Sequence, residues 1–134
     1  HIPCGVLFSP IIPAINDTEL EAIFSASSEN GATMAGYVLI RLPYELTKMF
    51  SRWLLDYFPD RKKKVLSLIK QCREGELYRP QFGKRMTGTG PYSEMLRLRF
   101  VSSCKRHNFN RRNRETNLNV DLFSAKNQQL NLLL

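Results

Sequence analysis

The residues best suited to chemistry are Gly83-Lys84-Arg85-Met86-Thr87-Gly88-Thr89-Gly90, a loop that runs into Pro91 and a helical pattern. Glycines let successive backbone amides turn toward one point, and a helix start carries partial positive charge. Such a loop can therefore cradle a phosphate or carboxylate. Lys84, Arg85, Thr87 and Thr89 would add donors, while Gly88 and Gly90 permit close backbone approach. No Gly-Lys-Ser/Thr closes the loop, so it is not a nucleotide-triphosphate P-loop. The plainer alternative is a tight turn whose glycines only permit positive φ. Two other segments follow strand-like runs: Ser9 to Asp17 (SPIIPAIND) and Arg41 to Glu45 (RLPYE). In parallel α/β folds ligands gather at that edge. Arg41, alone at the end of an apolar strand, either meets a carboxylate or phosphate or pairs with Glu45.

No catalytic set is readable. His1 and His107 stand at no recognisable spacing from an acid, and His107 suits the negative end of a basic helix. Nucleophile-elbow, metalloprotease and dinucleotide signatures are absent. Cys4, Cys72 and Cys104 lie on apolar faces and read as small core hydrophobes. They neither form a disulfide framework nor have zinc-like spacing, so the expected compartment is the reducing cytoplasm, with no metal ligands.

The elements that must position these residues follow from periodicity. Cys4–Ile12 is a nearly continuous apolar run, as expected for a strand covered on both faces, and Pro10 and Pro13 end it. Asn16 with Glu19 fits a capping box for a helix whose inward stripe is Leu20, Ile23, Phe24 and Ser27. Gly31 stops it, and Ala35–Leu42 forms a second buried-type strand, giving one βαβ unit. Leu46, Met49, Phe50, Trp53, Leu54 and Tyr57 then make an amphipathic stripe that reads as core. Pro59 interrupts, Asp60 can cap, and Val65, Leu68, Ile69 and Cys72 define the next helix up to Gly75. Its outward face holds Arg61, Lys62, Lys63, Lys64, Lys70 and Arg73. The last helix runs from Pro91 to about His107 with Leu96, Phe100, Ser103, Cys104 and His107 on one face. The text divides into a βαβ unit over 1–44, a basic helical extension over 45–110, and a polar tail over 111–134 with a Leu-rich end.

A chain of 134 residues, 43% hydrophobic and with only 14 Gly plus Pro, can form a real core and is not low-complexity. No apolar run reaches the ~18 residues of a membrane helix, so no membrane partner is expected. Charge is uneven: net −4 over 1–60, +13 over 61–114 and −1 over 115–134. The basic block suits phosphate groups, with a merely solvated helix face as the alternative.

Two stretches are then similar to one family. They are Val6–Asp17 followed by Ala35–Pro43 (AGYVLIRLP), and Phe82–Tyr92 (FGKRMTGTGPY), separated by Arg- and Lys-rich helices. In this order they resemble the C-terminal part of radical SAM proteins of the DNA-repair-photolyase-like group, relatives of spore photoproduct lyase. The resemblance covers roughly residues 2–110. It implies an α/β fold, the C-terminal βαβ portion of a partial (β/α)6 barrel followed by a helical extension. It also implies S-adenosylmethionine and a 4Fe–4S cluster in the intact parent, the cluster held by a Cys-x-x-x-Cys-x-x-Cys loop. Reductive cleavage of the cofactor there yields a 5′-deoxyadenosyl radical. The matching strand-rim positions that would face the cofactor are Pro10, Ile11, Pro13, Asn16, Leu39 and Arg41.

This sequence departs from the family in one respect that decides the expectation. Its cysteines stand 68 and 32 residues apart, whereas a cubane needs thiolates only a few Å apart. The chain, which begins at His1 just before an internal-type strand, therefore reads as the back part of a larger enzyme, inactive alone and binding neither cofactor stably. The missing N-terminal barrel portion is its expected partner, with self-association through strand edges in its absence. The alternatives are a non-enzymatic module gripping nucleic-acid backbone through residues 61–114, and a nonfunctional remnant.

Overall fold

The structure, a computed structural model, describes residues 3–111. Two parallel strands, β1 (Gly5–Ile11) and β2 (Met34–Leu39), flank α1 (Leu20–Glu29), which a short 3-10 turn at Asp17–Glu19 leads into. Then follow α2 (Leu46–Tyr57), α3 (Pro59–Gln71) and α4 (Gly90–His107). The chain is thus α/β with a βαβ start and a helical remainder. Tail residues 112–134, including the Leu-rich end, lie outside the described residues.

The register pairs Gly5 with Met34 and Phe8 with Tyr37, then shifts so that Ile11 meets Leu39. Both strands therefore end side by side. β2 stops three residues short of the expected Leu42, because the ladder closes with Ile40 N–H donating to Ile11 O at 2.9 Å. Of two cores among the described residues, the second joins Ile40 and Leu42 to α2 and α3, and the first lies on one face of the sheet. Phe8, Ile11 and Leu39 pack there against Leu20 and Phe24 of α1 and Leu96 of α4. Phe24 meets Phe100 and Phe109 edge-on, both at 5.8 Å between ring centres. Burial of such a ring contributes roughly 2–3 kcal/mol. The βαβ unit and α4 thus share one core.

Three sequence expectations change. β1 is not covered on both faces: Leu7 is 64% exposed and Gly5 and Ser9 are exposed, since the helices lie on the Phe8 side among the described residues. The α2 stripe is only half core. Leu54 is fully buried against Val65 and Ile69, and Phe50 stacks on Trp53, but Leu46, Met49 and Tyr57 are exposed. α2 packs on α3 and on the Ile40–Leu42 segment after β2, which together leave one side of its stripe uncovered among the described residues. Asp60 does not cap α3, because the helix already starts at Pro59, whose missing N–H suits the first turn.

The two sheet edges differ. β2's outer edge is closed twice: Met86 O accepts from Leu39 N–H at 2.8 Å, and the Asn110 amide brackets Ala35. That amide accepts from Ala35 N–H at 3.0 Å and donates to Ala35 O at 2.9 Å, imitating a paired strand. Beyond its pairing with β2, β1 has no hydrogen-bonding neighbour along Gly5–Ser9 among the described residues.

Candidate functional site

The turn after β1 is shaped by Asn16. Its Oδ1 accepts from Ile12 N–H at 2.7 Å and its Nδ2 donates to Pro10 O at 3.0 Å. The expected capping box does not form, because both ends of the amide are spent folding the loop back on the strand end. Of the six strand-rim positions, Ile11, Pro13 and Leu39 are fully buried, so their contribution to a rim is backbone only. Pro10 is exposed, Asn16 half-buried, and Arg41 half-buried just beyond β2. The parallel register brings all six to one edge of the sheet.

Arg41 does not pair with Glu45. Its guanidinium lies 6.0 Å from the Tyr78 ring centre and 3.8 Å from Met86 Sδ, and its buried Nε has no partner among the described residues. Beside it runs the residue that sequence reasoning missed. Arg73, expected on the solvated face of α3, is 2% exposed. Its Nη1 donates to Arg85 O at 2.8 Å and Lys84 O at 3.3 Å, and its Nη2 to Ile40 O at 3.0 Å and Leu39 O at 3.5 Å. Burial, and to a smaller degree the Arg41 charge, pulls its pKa down. The signal was present: Arg73 stands four and eight residues after Ile69 and Val65, so it continues their buried row.

Arg73 ties the end of β2 to the Gly-rich loop, and three of the loop's amides are spent on well-formed bonds within the fold. Arg85 N–H reaches Gln81 O, Gly88 N–H reaches Lys84 O and Thr89 N–H reaches Cys72 O, at 2.7–3.0 Å. At Gly88 φ is +79°, and an added Cβ would lie 2.6 Å from Ser93 Oγ and 3.0 Å from Cys72 O. The glycine is required by packing as well as by the turn. Lys84 Nζ lies 3.7 Å from Glu74, and Arg85 covers the Phe82 ring at 5.5 Å. The void bounded by Arg73, Lys84, Arg85 and Thr89 is about 10 Å³, room for a water at most. Thr87, Gly88, Thr89 and Gly90 instead line a shallow cleft of about 280 Å³ with Tyr37, Ser93 and Arg97.

A larger cleft, about 550 Å³, opens below the Ile12–Asn16 turn between α3 and α4. Arg61 and Lys64 form one wall, Tyr92, Met95 and Arg99 the other, and Ile15, Asp17 and Leu68 the base. Asp17 is buried, with Oδ2 accepting from Tyr92 OH at 2.5 Å and Oδ1 unpartnered among the described residues. Burial, and then that bond, pushes the Tyr92 phenol far above its ordinary 10.0. Arg99 is held by Glu21 through a bidentate pair at 2.8 and 2.5 Å.

The cysteines separate rather than converge. Cys72 is buried in the first core and Cys104 packs against it, and burial raises both thiol pKa values. Cys4 is exposed at the start of β1, its thiol 3.6 Å from Gly31 O, so it is not the core hydrophobe expected. Among the described residues no three His, Cys, Asp or Glu side chains gather as a metal site, and no helix is long and apolar enough to cross a membrane. Comparison with protein-family models, curated proteins and solved structures finds no match to this chain.

Proposed function

We propose that this chain is the C-terminal βαβ unit and basic helical extension of a radical SAM protein of the DNA-repair-photolyase-like group. The observation that carries the reading is the asymmetry of the sheet. β2 is finished as a last strand, its outer edge closed by Asn110 and the Gly-rich loop. β1 has an open edge and an exposed Leu7, so pairing and burial are both left for a preceding strand. A partial barrel that ends at β2 and continues beyond β1 fits both halves of that asymmetry. The closed rim at Pro10–Asn16 and Leu39–Arg41 would then be this chain's share of the cofactor edge.

The residues present do not fit a 4Fe–4S cluster, since the three thiols lie at the start of β1, at the end of α3 and within α4. The cluster would be held by the preceding part of the parent, and the strand rim with Arg41 would face the adenosyl group of the cofactor. Anaerobic reconstitution of this chain is expected to give no iron–sulfur absorption. A longer product read through the upstream frame is expected to carry Cys-x-x-x-Cys-x-x-Cys and to bind the cluster. Stoichiometric cluster on this chain alone, or an upstream frame without that motif, would refute the reading.

A second reading rests on a separate observation. On α3, Arg61, Lys62, Lys63, Lys64 and Lys70 pair with no carboxylate among the described residues. Such a row suits a nucleic-acid backbone, and it predicts binding to DNA or RNA that weakens steeply with salt. Absence of binding at low salt removes it.

A further inference from the structure

The cleft between α3 and α4 has a composition that neither strand rim nor Gly-rich loop shares. Its cations are of two kinds. Arg99 is neutralised by Glu21, whereas Lys64 has no partner among the described residues and Arg61 makes only a 3.3 Å contact to Ala14 O. Arg61 and Lys64 are three residues apart on one helix, so their charges point into the same space. Facing them are a phenol ring and a thioether, Tyr92 and Met95, with Leu68 below. Met95 is 40% exposed on α4, which packs against α1 and α3. Behind the base sits Asp17, more than nine-tenths buried, with one carboxylate oxygen lacking a donor. That oxygen is covered among the described residues, so Asp17 closes the base of the cleft through its bond to Tyr92.

These groups call for a ligand with two parts, an anion for Arg61 and Lys64 and a flat or apolar body for Tyr92, Met95 and Leu68. Inorganic phosphate has the first part and lacks the second. The volume of about 550 Å³ lies within the range of small-molecule sites, roughly 300–1,000 Å³. We propose that this cleft binds a nucleoside monophosphate unit, its phosphate on Arg61 and Lys64 and its base against Tyr92 and Met95. The same unit is available as a free nucleotide or as one residue of a single strand. The inference is independent of the parent's chemistry, since none of these residues belongs to the strand rim.

The test is isothermal titration of the whole chain with adenosine monophosphate, with a short single-stranded oligonucleotide, and with inorganic phosphate. Two charge-matched variants decide the site. Arg61→Ala with Lys64→Ala removes the cleft cations, and Lys48→Ala with Arg52→Ala removes two exposed α2 cations away from the cleft and from the α3 row. Loss of two charge-assisted contacts is expected to weaken nucleotide binding about tenfold or more in the first pair. The second pair is expected to stay within about twofold, and phosphate alone to bind more weakly than the nucleotide. Tighter binding of the oligonucleotide than the mononucleotide, with the same variant pattern, assigns the unit to a strand, and the reverse assigns it to a free ligand. Equal losses in both pairs would reduce the cleft to diffuse attraction, and no binding by the unaltered chain would overturn the proposal outright. Circular dichroism of each variant separates lost binding from lost fold.

Discussion

Arg73→Met is the sharpest perturbation that the fold offers. It keeps the length and apolar stem of the side chain but deletes a guanidinium that is 2% exposed. Four carbonyls lose a donor. The bonds to Arg85 O at 2.8 Å and Ile40 O at 3.0 Å are well formed, and those to Lys84 O at 3.3 Å and Leu39 O at 3.5 Å are marginal. A charged donor contributes about 1.5–3 kcal/mol per good bond, so two give roughly 3–6 kcal/mol before compensation. Removing the guanidinium also relieves its desolvation, which burial makes real here and which the unpartnered Nε increases. The net expectation is a loss of about 2–4 kcal/mol, or roughly 10 °C in Tm for a domain of this size. Urea unfolding followed by circular dichroism gives the free energy. Limited proteolysis supplies the local signature, because the Gly-rich loop loses its anchor and cleavage should begin between Lys84 and Arg85. Arg79→Met, whose exposed partner is Glu74, is the control and should cost under about 0.5 kcal/mol. If Arg73→Met unfolds within about 0.5 kcal/mol of the unaltered chain, with the loop still resistant, the anchoring role assigned to this guanidinium is refuted.

Tyr92→Phe leaves both oxygens of buried Asp17 without a donor, and urea unfolding should show a loss of about 1–3 kcal/mol. Asn110→Asp keeps a side chain that tolerates the left-handed backbone there, φ +56°, but places an acceptor against Ala35 O. It should cost about 1–2 kcal/mol and raise concentration-dependent association by light scattering, as β2's edge opens. Glu21 is held below its ordinary 4.5 mainly by the Arg99 hydrogen bond. Its folded pKa is depressed, so the stabilisation is present above 4.5 and fades as pH falls through the lower folded value. The pair is partly exposed, so Arg99→Met should flatten the acid limb of stability by only about 0.5 kcal/mol.

What the sequence disclosed depended on whether a residue's partner was local. The βαβ order, the three later helices and the buried positions Leu20, Phe24, Val65 and Ile69 follow from period alone. Long-range satisfaction was invisible. Asn16 looked like a cap because Glu19 stood three residues on, yet its amide turned back to Pro10 and Ile12. Asn110 closes a strand 75 residues earlier, and Tyr92 meets an acid equally distant, with nothing in spacing to announce either. The amphipathic stripe of α2 gave its apolar face correctly but not its coverage, because coverage depends on what packs there. Arg73 is readable in principle from its place in the buried row of Val65 and Ile69, which outweighs its charge.

The basic block is therefore not one feature. Between residues 61 and 111 lie 14 Lys and Arg, which composition treats as a single positive field. The fold sorts them. Arg73 is consumed inside the protein, Arg79 and Lys84 share Glu74, Arg97 is held by Glu94, and Arg99 by Glu21. What remains concentrated is the α3 row of five, Arg61 to Lys64 and Lys70. A cation already paired to a carboxylate releases few counterions when it meets a phosphate, so it adds little to salt dependence. Five contacts give a log–log salt slope of magnitude about 4, whereas all of the 14 except buried Arg73 engaged would give about 10. A measured slope near the larger value would mean that the Glu21, Glu74 and Glu94 pairs open on binding. A slope near the smaller value would mean that α3 acts by itself, with the strand rim and Gly-rich loop left to the sheet.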